Sequence, residues 1–338
     1  MAVYTHLGAE ELADLIAHYD VGDLVSAKGI AEGVSNSNWL IETTGGAQSA
    51  NPARSSRFIL TMYERRIELD DLPYFLGLLD HLAAHHCPVP RTIHDREGAS
   101  FRMLDGKAIA LIEFLPGVSP TQPTPAQAHA VGSALAQMHL ASRDFPLSRA
   151  NTMGFADNLA TLERCGENGL AQIDPALPEM MGPARAAAVL DMSALPISNI
   201  HADLFPDNVL MLGDAVSGMI DFYFACTDTM ALDLATTHAA WCFDASGKHY
   251  DSVVGQALVA GYEAFRPLER VERTLLPEIA KGICLRFVAS RAEDWLDTPD
   301  DALVIRKDPM QFVSRWHFYD KAGSSIFKES SSAGTAAQ

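Results

Sequence analysis

Residues Asn199–Met211, NIHADLFPDNVLM, decide how this chain is read. They place His201, Asp203, Asp207 and Asn208 within eight positions, with apolar residues on both sides. So many polar groups where a core is forming suit either a solvated turn or a loop that holds a hydroxyl and a metal ion together. Asp203 and Asn208 alone would pass for an Asx-turn.

Asp221 changes that balance. It follows Asp203 by eighteen residues and closes the apolar run of GMIDF. Two carboxylates and an amide at these spacings are the equipment of phosphoryl transfer. One carboxylate orients or deprotonates an acceptor hydroxyl. The amide oxygen and the second carboxylate hold Mg2+ against the phosphates of ATP. Asp203 is then the catalytic group, with Asn208 and Asp221 as metal ligands. His201 reads as a structural hydrogen-bonder, and Asp207 as a solvated residue or a cap for the next strand.

Composition narrows the partners. The chain has 338 residues, 48% hydrophobic and 20% charged, enough for two domains of ordinary size. Its 43 Asp and Glu against 25 Lys and Arg argue against nucleic acid and against an anionic membrane surface, both of which need basic patches. A phosphate substrate remains open, because a carboxylate-bound divalent metal can carry the positive charge. Cys87, Cys165, Cys226, Cys242 and Cys284 are scattered, without CxxC spacing, and read as buried thiols of a reducing cytosol. The N-terminus MAVYTHLGAEELADL has no basic region followed by an apolar one, and no run of eighteen apolar residues occurs. These features lead us to expect a cytoplasmic protein.

Upstream of Asn199 the periodicity is mixed. AEELADLIAHY (9–19) is helical by its Leu12, Leu15, Ile16 and Tyr19 spacing. LVSAKGIAEGVSNSNWLIETTGG reads as two strands around a tight turn, AQSANPARSS as a polar loop and RFILTMYERR as a third strand. DDLPYFLGLLDHLAAHH (70–86) is a helix with acidic residues first and histidines last. CPVPRTI and AIALIEFLPG are further strands, the second stopped by Pro116-Gly117. From Thr124-Pro125, an N-cap and N1 pair, helices dominate: Ala128, Val131, Leu135 and Met138 mark the first, with others at roughly 176–191, 228–243, 249–265 and 271–297. Short strands are expected near residue 200, in NVLML and in VSGMIDF, the last two joined as a hairpin at Gly213-Asp214. The expected architecture is α+β and bilobal: a β-rich nucleotide-binding lobe over 1–112, a hinge at 113–118, a helical lobe over 119–320 and a disordered tail over 321–338.

The motifs resemble a known group. Protein kinases carry H-R-D-x-x-x-x-N followed by D-F-G; this chain carries His201-Ala202-Asp203 … Asn208 and then Asp221-Phe222-Tyr223. The chain is similar to the small-molecule branch of the protein-kinase-like superfamily, which holds aminoglycoside phosphotransferases and choline kinases. GIAEGVSNSNWLI sits at that group's nucleotide loop, IEFLPG at its adenine hinge, and ALDLA at its acidic helix. GVSNSNWLI, FILTMYERR, DLPYFLGLLDHLA and LRFVASRAEDWLDTP…KDP further resemble the bacterial kinase-like homoserine kinases. That likeness implies transfer of the ATP γ-phosphoryl group to the side-chain hydroxyl of L-homoserine, a step of threonine biosynthesis, with Mg2+ as cofactor. Related kinases for choline, methylthioribose or an aminoglycoside are the rival reading, and a silent pseudokinase a third.

The resemblance also assigns the nucleotide site. Gly33, Ser35, Asn36, Ser37 and Asn38 would approach the phosphates through backbone N–H groups and short side chains, or form an ordinary turn. Glu113 and Leu115 would offer backbone groups to the adenine edge. Thr61 stands where kinases keep a strand lysine, so Lys28, Arg65 or Arg66 would supply the missing charge, and Glu68 and Asp71 lose the usual partner. Ala202 in place of arginine removes a phosphate-sensing switch, and Tyr223 in place of glycine stiffens the metal loop.

A zwitterionic acceptor needs an arginine for its carboxylate and a carboxylate or aromatic face for its ammonium. Arg286 and Asp294 share one face of a helix with Ser290, while Arg291 and Trp295 form a neighbouring stripe. These are the candidate acceptor residues, against the alternative of a salt-bridged surface helix with a core tryptophan. Asp233 reads as a brace for the catalytic loop. The sequence leaves monomer and homodimer open.

Overall fold

The structure is a computed structural model that describes residues 7–30, 36–47, 56–64, 67–299 and 306–327. The chain divides into two compact units. The first holds Met1–Gly117 with two later segments, Phe145–Leu147 and Ser217–Tyr223; the second holds the remainder.

In the first unit, α1 (Ala9–Ile16) buries Leu12, Leu15 and Ile16, the i, i+3 and i+4 positions of one face. Strands β1 (Leu24–Ile30), β2 (Asn36–Thr43) and β3 (Ser56–Tyr63) form the expected antiparallel meander. Helix α2 (Leu72–Ala84) follows a short 3-10 turn at Leu69–Asp71. Strands β4 (Thr92–Ile93), β5 (Arg102–Leu104) and β6 (Lys107–Glu113) complete the sheet in the order β1-β2-β3-β6-β4, with β5 also on β6. CPVPRTI yields only two paired residues, since Pro88 and Pro90 have no N–H to give a ladder.

Register sorts the side chains onto two faces. Trp39 lies opposite Leu60, and Ile41 opposite Phe58. These pack with Leu111 on the face covered by Leu12, Ile16 and Tyr19. Tyr63, Ala108, Ala110 and Ile112 fill the other face against Leu72 and Leu76 of α2.

The second unit is mainly helical. Helix α3 (Pro125–Ala141) opens with a capping box: Gln127 N–H donates to Thr124 Oγ1 at 3.2 Å, and Thr124 N–H to Gln127 Oε1 at 3.1 Å. Helix α4 (Phe155–Ile173) was not expected from the sequence. Two glycines weaken its signal, and at Gly166 (φ 68°) it does kink. Next come α5 (Met181–Ala188), β7 (Ile197–Ile200), β8 (Val209–Leu212) and, after β9 (Ala215–Met219), most of which belongs to the first unit, β10 (Cys226–Thr229), with β7 antiparallel to β10. Helices α6 (Met230–Trp241), α7 (Ser252–Glu263), α8 (Arg270–Asp297) and α9 (Met310–Ala322) follow. Every residue of α6 is buried, so α6 is the axis of this unit.

Two glycines let α3 and α7 meet backbone to backbone. A Cβ on Gly132 would lie 2.0 Å from Leu258 O, and one on Gly261 2.0 Å from His129 O. The expected disordered tail needs correction over its first part. Residues 321–327 are ordered, and Phe327 is buried, with its ring 4.9 Å from that of His238 and parallel to Tyr319. Two adjacent apolar side chains, Ile326 and Phe327, in a polar stretch give a weak sequence signal, but burial of Phe327 anchors the segment.

Candidate active site

Strand β7 delivers the chain to His201, and there the backbone turns sharply. Ala202 has φ of 63°, a left-handed conformation that costs a non-glycine residue about 1–2 kcal/mol. Both sides of that residue are gripped. Asp233, in the first turn of α6, accepts the His201 N–H on Oδ2 at 2.7 Å and the Ala202 N–H on Oδ1 at 2.8 Å. From the opposite direction the Arg286 guanidinium donates through Nη1 to the Ala202 carbonyl. His201 is fully buried, and its Nδ1 accepts the Asp203 N–H at 3.2 Å. Both histidine and aspartate are thus placed as structural supports of the loop.

Asp233 itself sits at the end of a buried, directed chain. Burial alone would push its pKa up, but His139, His201 and the His201 N–H carry it below the usual carboxylate range. Burial pushes the pKa of His139 down, which favours its neutral form. A neutral ring facing a carboxylate must carry its proton on Nε2, which lies 3.0 Å from Asp233 Oδ2. Its Nδ1 then accepts from the Tyr262 hydroxyl at 2.8 Å. That hydroxyl in turn accepts from Arg266 Nη1 at 3.3 Å, and Arg266 pairs with Glu272 at 2.9 Å. The sequence reading missed His139 and Tyr262. A histidine beside the apolar stripe of α3 was the available signal.

Past the turn, Asp203 and Asn208 are brought together. Asn208 Nδ2 donates to the Asp203 carbonyl at 2.8 Å and approaches its Oδ2 at 3.4 Å. This commits the amide's N–H2 to the loop and turns its oxygen the other way. A carboxylate and an outward amide oxygen are hard donors of the kind a divalent cation takes. Asp203 keeps one-fifth of its side chain exposed, with Arg286 Nη2 3.9 Å from its Oδ1. Burial raises its pKa, while Arg286 and His201 oppose that shift. Arg286 is itself buried, with its guanidinium carbon 4.9 Å from the Phe287 ring centroid.

The other candidate acceptor residues lie along α8. Arg291 donates through Nη1 to Asp308 O at 2.8 Å and Gln311 Oε1 at 2.7 Å. Asp294 is exposed. Trp295 lies under the Arg306 guanidinium at 5.6 Å and lines, with Gln172 and Leu296, a cavity of about 450 Å³. Of these four residues, Arg286 is the one that reaches Asp203.

In the first unit, Asp221 is exposed with φ of 65°. The tyrosine after Phe222 is wedged between β3 and α2. Its ring meets Tyr63 edge-on at 5.4 Å and Phe75 at 5.9 Å, and the two tyrosine hydroxyls are 3.3 Å apart. Thr61 is buried, and its hydroxyl donates to Asn38 Oδ1 at 2.8 Å. Asn36 is also buried, and the Ser37 hydroxyl donates to Glu64 Oε1 at 2.7 Å; Glu64 also pairs with Lys107. Gly33, Ser35, Arg65 and Arg66 lie outside the described residues, and Lys28 is exposed on β1. Glu113 ends β6 with its carboxylate 3.2 Å from Arg91, and Leu115 lies beyond the ladder.

Comparison with known proteins gives the family of the chain. Residues 26–268 match the family model described as "Phosphotransferase enzyme family". Homoserine kinase of Acidiphilium cryptum is 44% identical over 328 residues, spanning 96% of this chain and 98% of that protein. This chain belongs to the phosphotransferase enzyme family, in its homoserine kinase branch. Homoserine kinase of Rhodopseudomonas palustris is 45% identical over 94% of both chains. Among solved structures, amicoumacin kinase hAmiN in complex with AMP-PNP, Ca2+ and Ami shares the fold, with a TM-score of 0.67 and 14% identity over 93% of this chain and 94% of that one. An aminoglycoside phosphotransferase from Alicyclobacillus acidocaldarius does so at 0.66 and 16%, over 96% of each. As a member of this family the chain is a kinase with the α+β kinase-like fold, and ATP and a divalent metal are implied by that membership. No helix among the described residues is long and apolar enough to cross a membrane.

Proposed function

We propose that this kinase transfers the γ-phosphoryl group of ATP to the side-chain hydroxyl of L-homoserine, with Mg2+ as its metal. The observation that carries the reading is the likeness to homoserine kinases at 42–45% identity over nearly the whole chain. The braced loop of Asp203 supports it chemically. Asp203 accepts the proton of the acceptor hydroxyl as the oxygen–phosphorus bond forms and the bond to ADP breaks. Arg286, the Asp233 clamp and Asn208 fix that carboxylate in place, so catalysis is mainly positioning and charge neutralisation. Asn208 and Asp221 are the residues to hold the metal, which when bound neutralises phosphate charge. Asn36, Ser37, Asn38 and Thr61 are the polar residues offered to the nucleotide, with backbone groups of Glu113 and Leu115 for adenine.

The test is a substrate panel with Mg-ATP. L-homoserine should give O-phospho-L-homoserine, and Asp203→Ala should abolish this while leaving nucleotide affinity nearly intact. Turnover of choline, methylthioribose or kanamycin without turnover of homoserine would replace the acceptor and leave the kinase.

A further inference from the structure

The brace behind the catalytic loop depends on where one proton sits. Asp233 Oδ2 accepts the His201 N–H at 2.7 Å and faces His139 Nε2 at 3.0 Å. With its proton on Nε2, the His139 ring donates to that carboxylate. With its proton on Nδ1, the Nε2 lone pair would oppose the carboxylate, and the clamp on the Ala202 turn would lose a donor. Which ring nitrogen keeps the proton is set by the hydrogen bond made at the other one.

That bond comes from Tyr262. Gly132 and Gly261 bring α3 and α7 backbone to backbone, and the Tyr262 hydroxyl lies 2.8 Å from His139 Nδ1. A hydroxyl can donate or accept, so its own direction must also be fixed. Arg266 fixes it. A guanidinium only donates, and Arg266 Nη1 donates to the Tyr262 oxygen at 3.3 Å. The hydroxyl proton is left for His139. Burial pushes the Tyr262 pKa upward, so the proton stays on that oxygen. Arg266 is held in turn by Glu272, which accepts its Nη2 on Oε1 at 2.9 Å. The other Glu272 oxygen accepts the Glu269 N–H at 2.9 Å, in the capping box that opens α8. Asp233, His139, Tyr262, Arg266 and Glu272 are all buried, so bulk water does not compete for these bonds.

We propose that Tyr262, oriented by the Arg266–Glu272 pair, is a positioning residue for phosphoryl transfer: it fixes the His139 proton on Nε2 and so holds Asp233 and the loop of Asp203 in the reactive arrangement. This rests on the reading of Asp203 as the group that receives the acceptor proton. Tyr262 acts through His139 and Asp233 and does not touch substrate, so its effect belongs in kcat.

The test is Tyr262→Phe, which deletes the hydroxyl and keeps the ring beside His139. Its kcat for L-homoserine should fall about tenfold, the scale of one net hydrogen bond, with KM for Mg-ATP unmoved. Nitrogen-15 NMR of histidine-labelled protein should show wild-type His139 with a protonated Nε2 and a bare Nδ1, and a mixture of the two forms in Tyr262→Phe. The loss of signals in His139→Gln identifies them. In the His139→Gln background no ring proton is left to place, so adding Tyr262→Phe should cost less than about twofold in kcat. A tyrosine that merely packs would cost the same in both backgrounds. If Tyr262→Phe does not fold, Arg266→Lys is read by the same spectrum and the same cycle, since it keeps the charge for Glu272 and gives up the fork that spans both partners. Unchanged kcat, equal losses in the two backgrounds, or a wild-type His139 that carries a proton on Nδ1 each overturns the proposal. Turnover that survives Asp203→Ala overturns the catalytic reading instead, and the spectrum still reports on Tyr262.

Discussion

Asp233 holds the peptide N–H of Ala202 at 2.8 Å, and Ala202 is in the left-handed region. A buried carboxylate thirty-one residues along the chain thus maintains the strained turn just before Asp203. Asp233→Asn would replace one acceptor oxygen by a donor and leave a peptide N–H unmatched. Its unfolding free energy should drop by about 3 kcal/mol, as for a buried pair broken on one side. kcat should fall at least about a hundredfold with KM for ATP little changed, if the loop is what the clamp positions. Urea unfolding and steady-state kinetics on the same preparation check both.

Ala202 offers a sharper test of the strain. Ala202→Gly adopts the same φ freely, and its unfolded-state entropy cost offsets the relief, so stability should stay within about 1 kcal/mol of wild type. Ala202→Val places a branched side chain in that conformation at a buried site and should lose about 2 kcal/mol or more. Equal stabilities for the two variants in urea melts would show that the turn is unstrained.

The pH dependence of turnover follows from Asp203. Burial raises its pKa and Arg286 is the foremost opposing influence. The carboxylate must be ionised to receive the hydroxyl proton, so activity is lost as pH falls through the raised value. The acid limb of kcat/KM should lie above the ordinary aspartate value of about 3.9. Arg286→Met removes the opposing charge and should move that limb to still higher pH. A limb that stays in place, measured as position rather than amplitude, counts against Asp203 as the titrating group.

Stability has its own acid limb at His238. Burial pushes this ring down to about 3, with its Nδ1 2.6 Å from the Tyr319 hydroxyl. The folded value lies below the unfolded one of about 6.5, so between them the unfolded chain binds the extra proton. Stability should fall as pH drops from about 6.5 towards 3. Calorimetric melts of His238→Gln, which keeps a hydrogen-bonding group, should show a flatter decline over that window.

The sequence made the catalytic loop readable because Asp203, Asn208 and Asp221 are close in the chain and chemically unusual for it. The meander was readable for a different reason, since its apolar runs are separated by glycine and Ser/Asn turn signals. Helix α4 escaped because Gly166 and Gly169 break its pattern, and α9 because its aromatic residues are weak helix formers whose burial decides the matter. The His139–Tyr262 bond joins residues 123 positions apart, so only the fold reveals it. Thr61 was conspicuous as an absent lysine, but its bond to Asn38 was invisible in the chain.

The wedge of Tyr223 between Tyr63 and Phe75 bears on inhibitor design. In protein kinases the packing of the aromatic residue in this metal loop sets the active or the flipped, inactive state. In this kinase a flip would have to withdraw two consecutive rings, Phe222 and Tyr223, and strand the Tyr63 hydroxyl inside the sheet. Screening libraries biased toward that inactive pose should yield few hits against it, while nucleotide mimics should be unaffected.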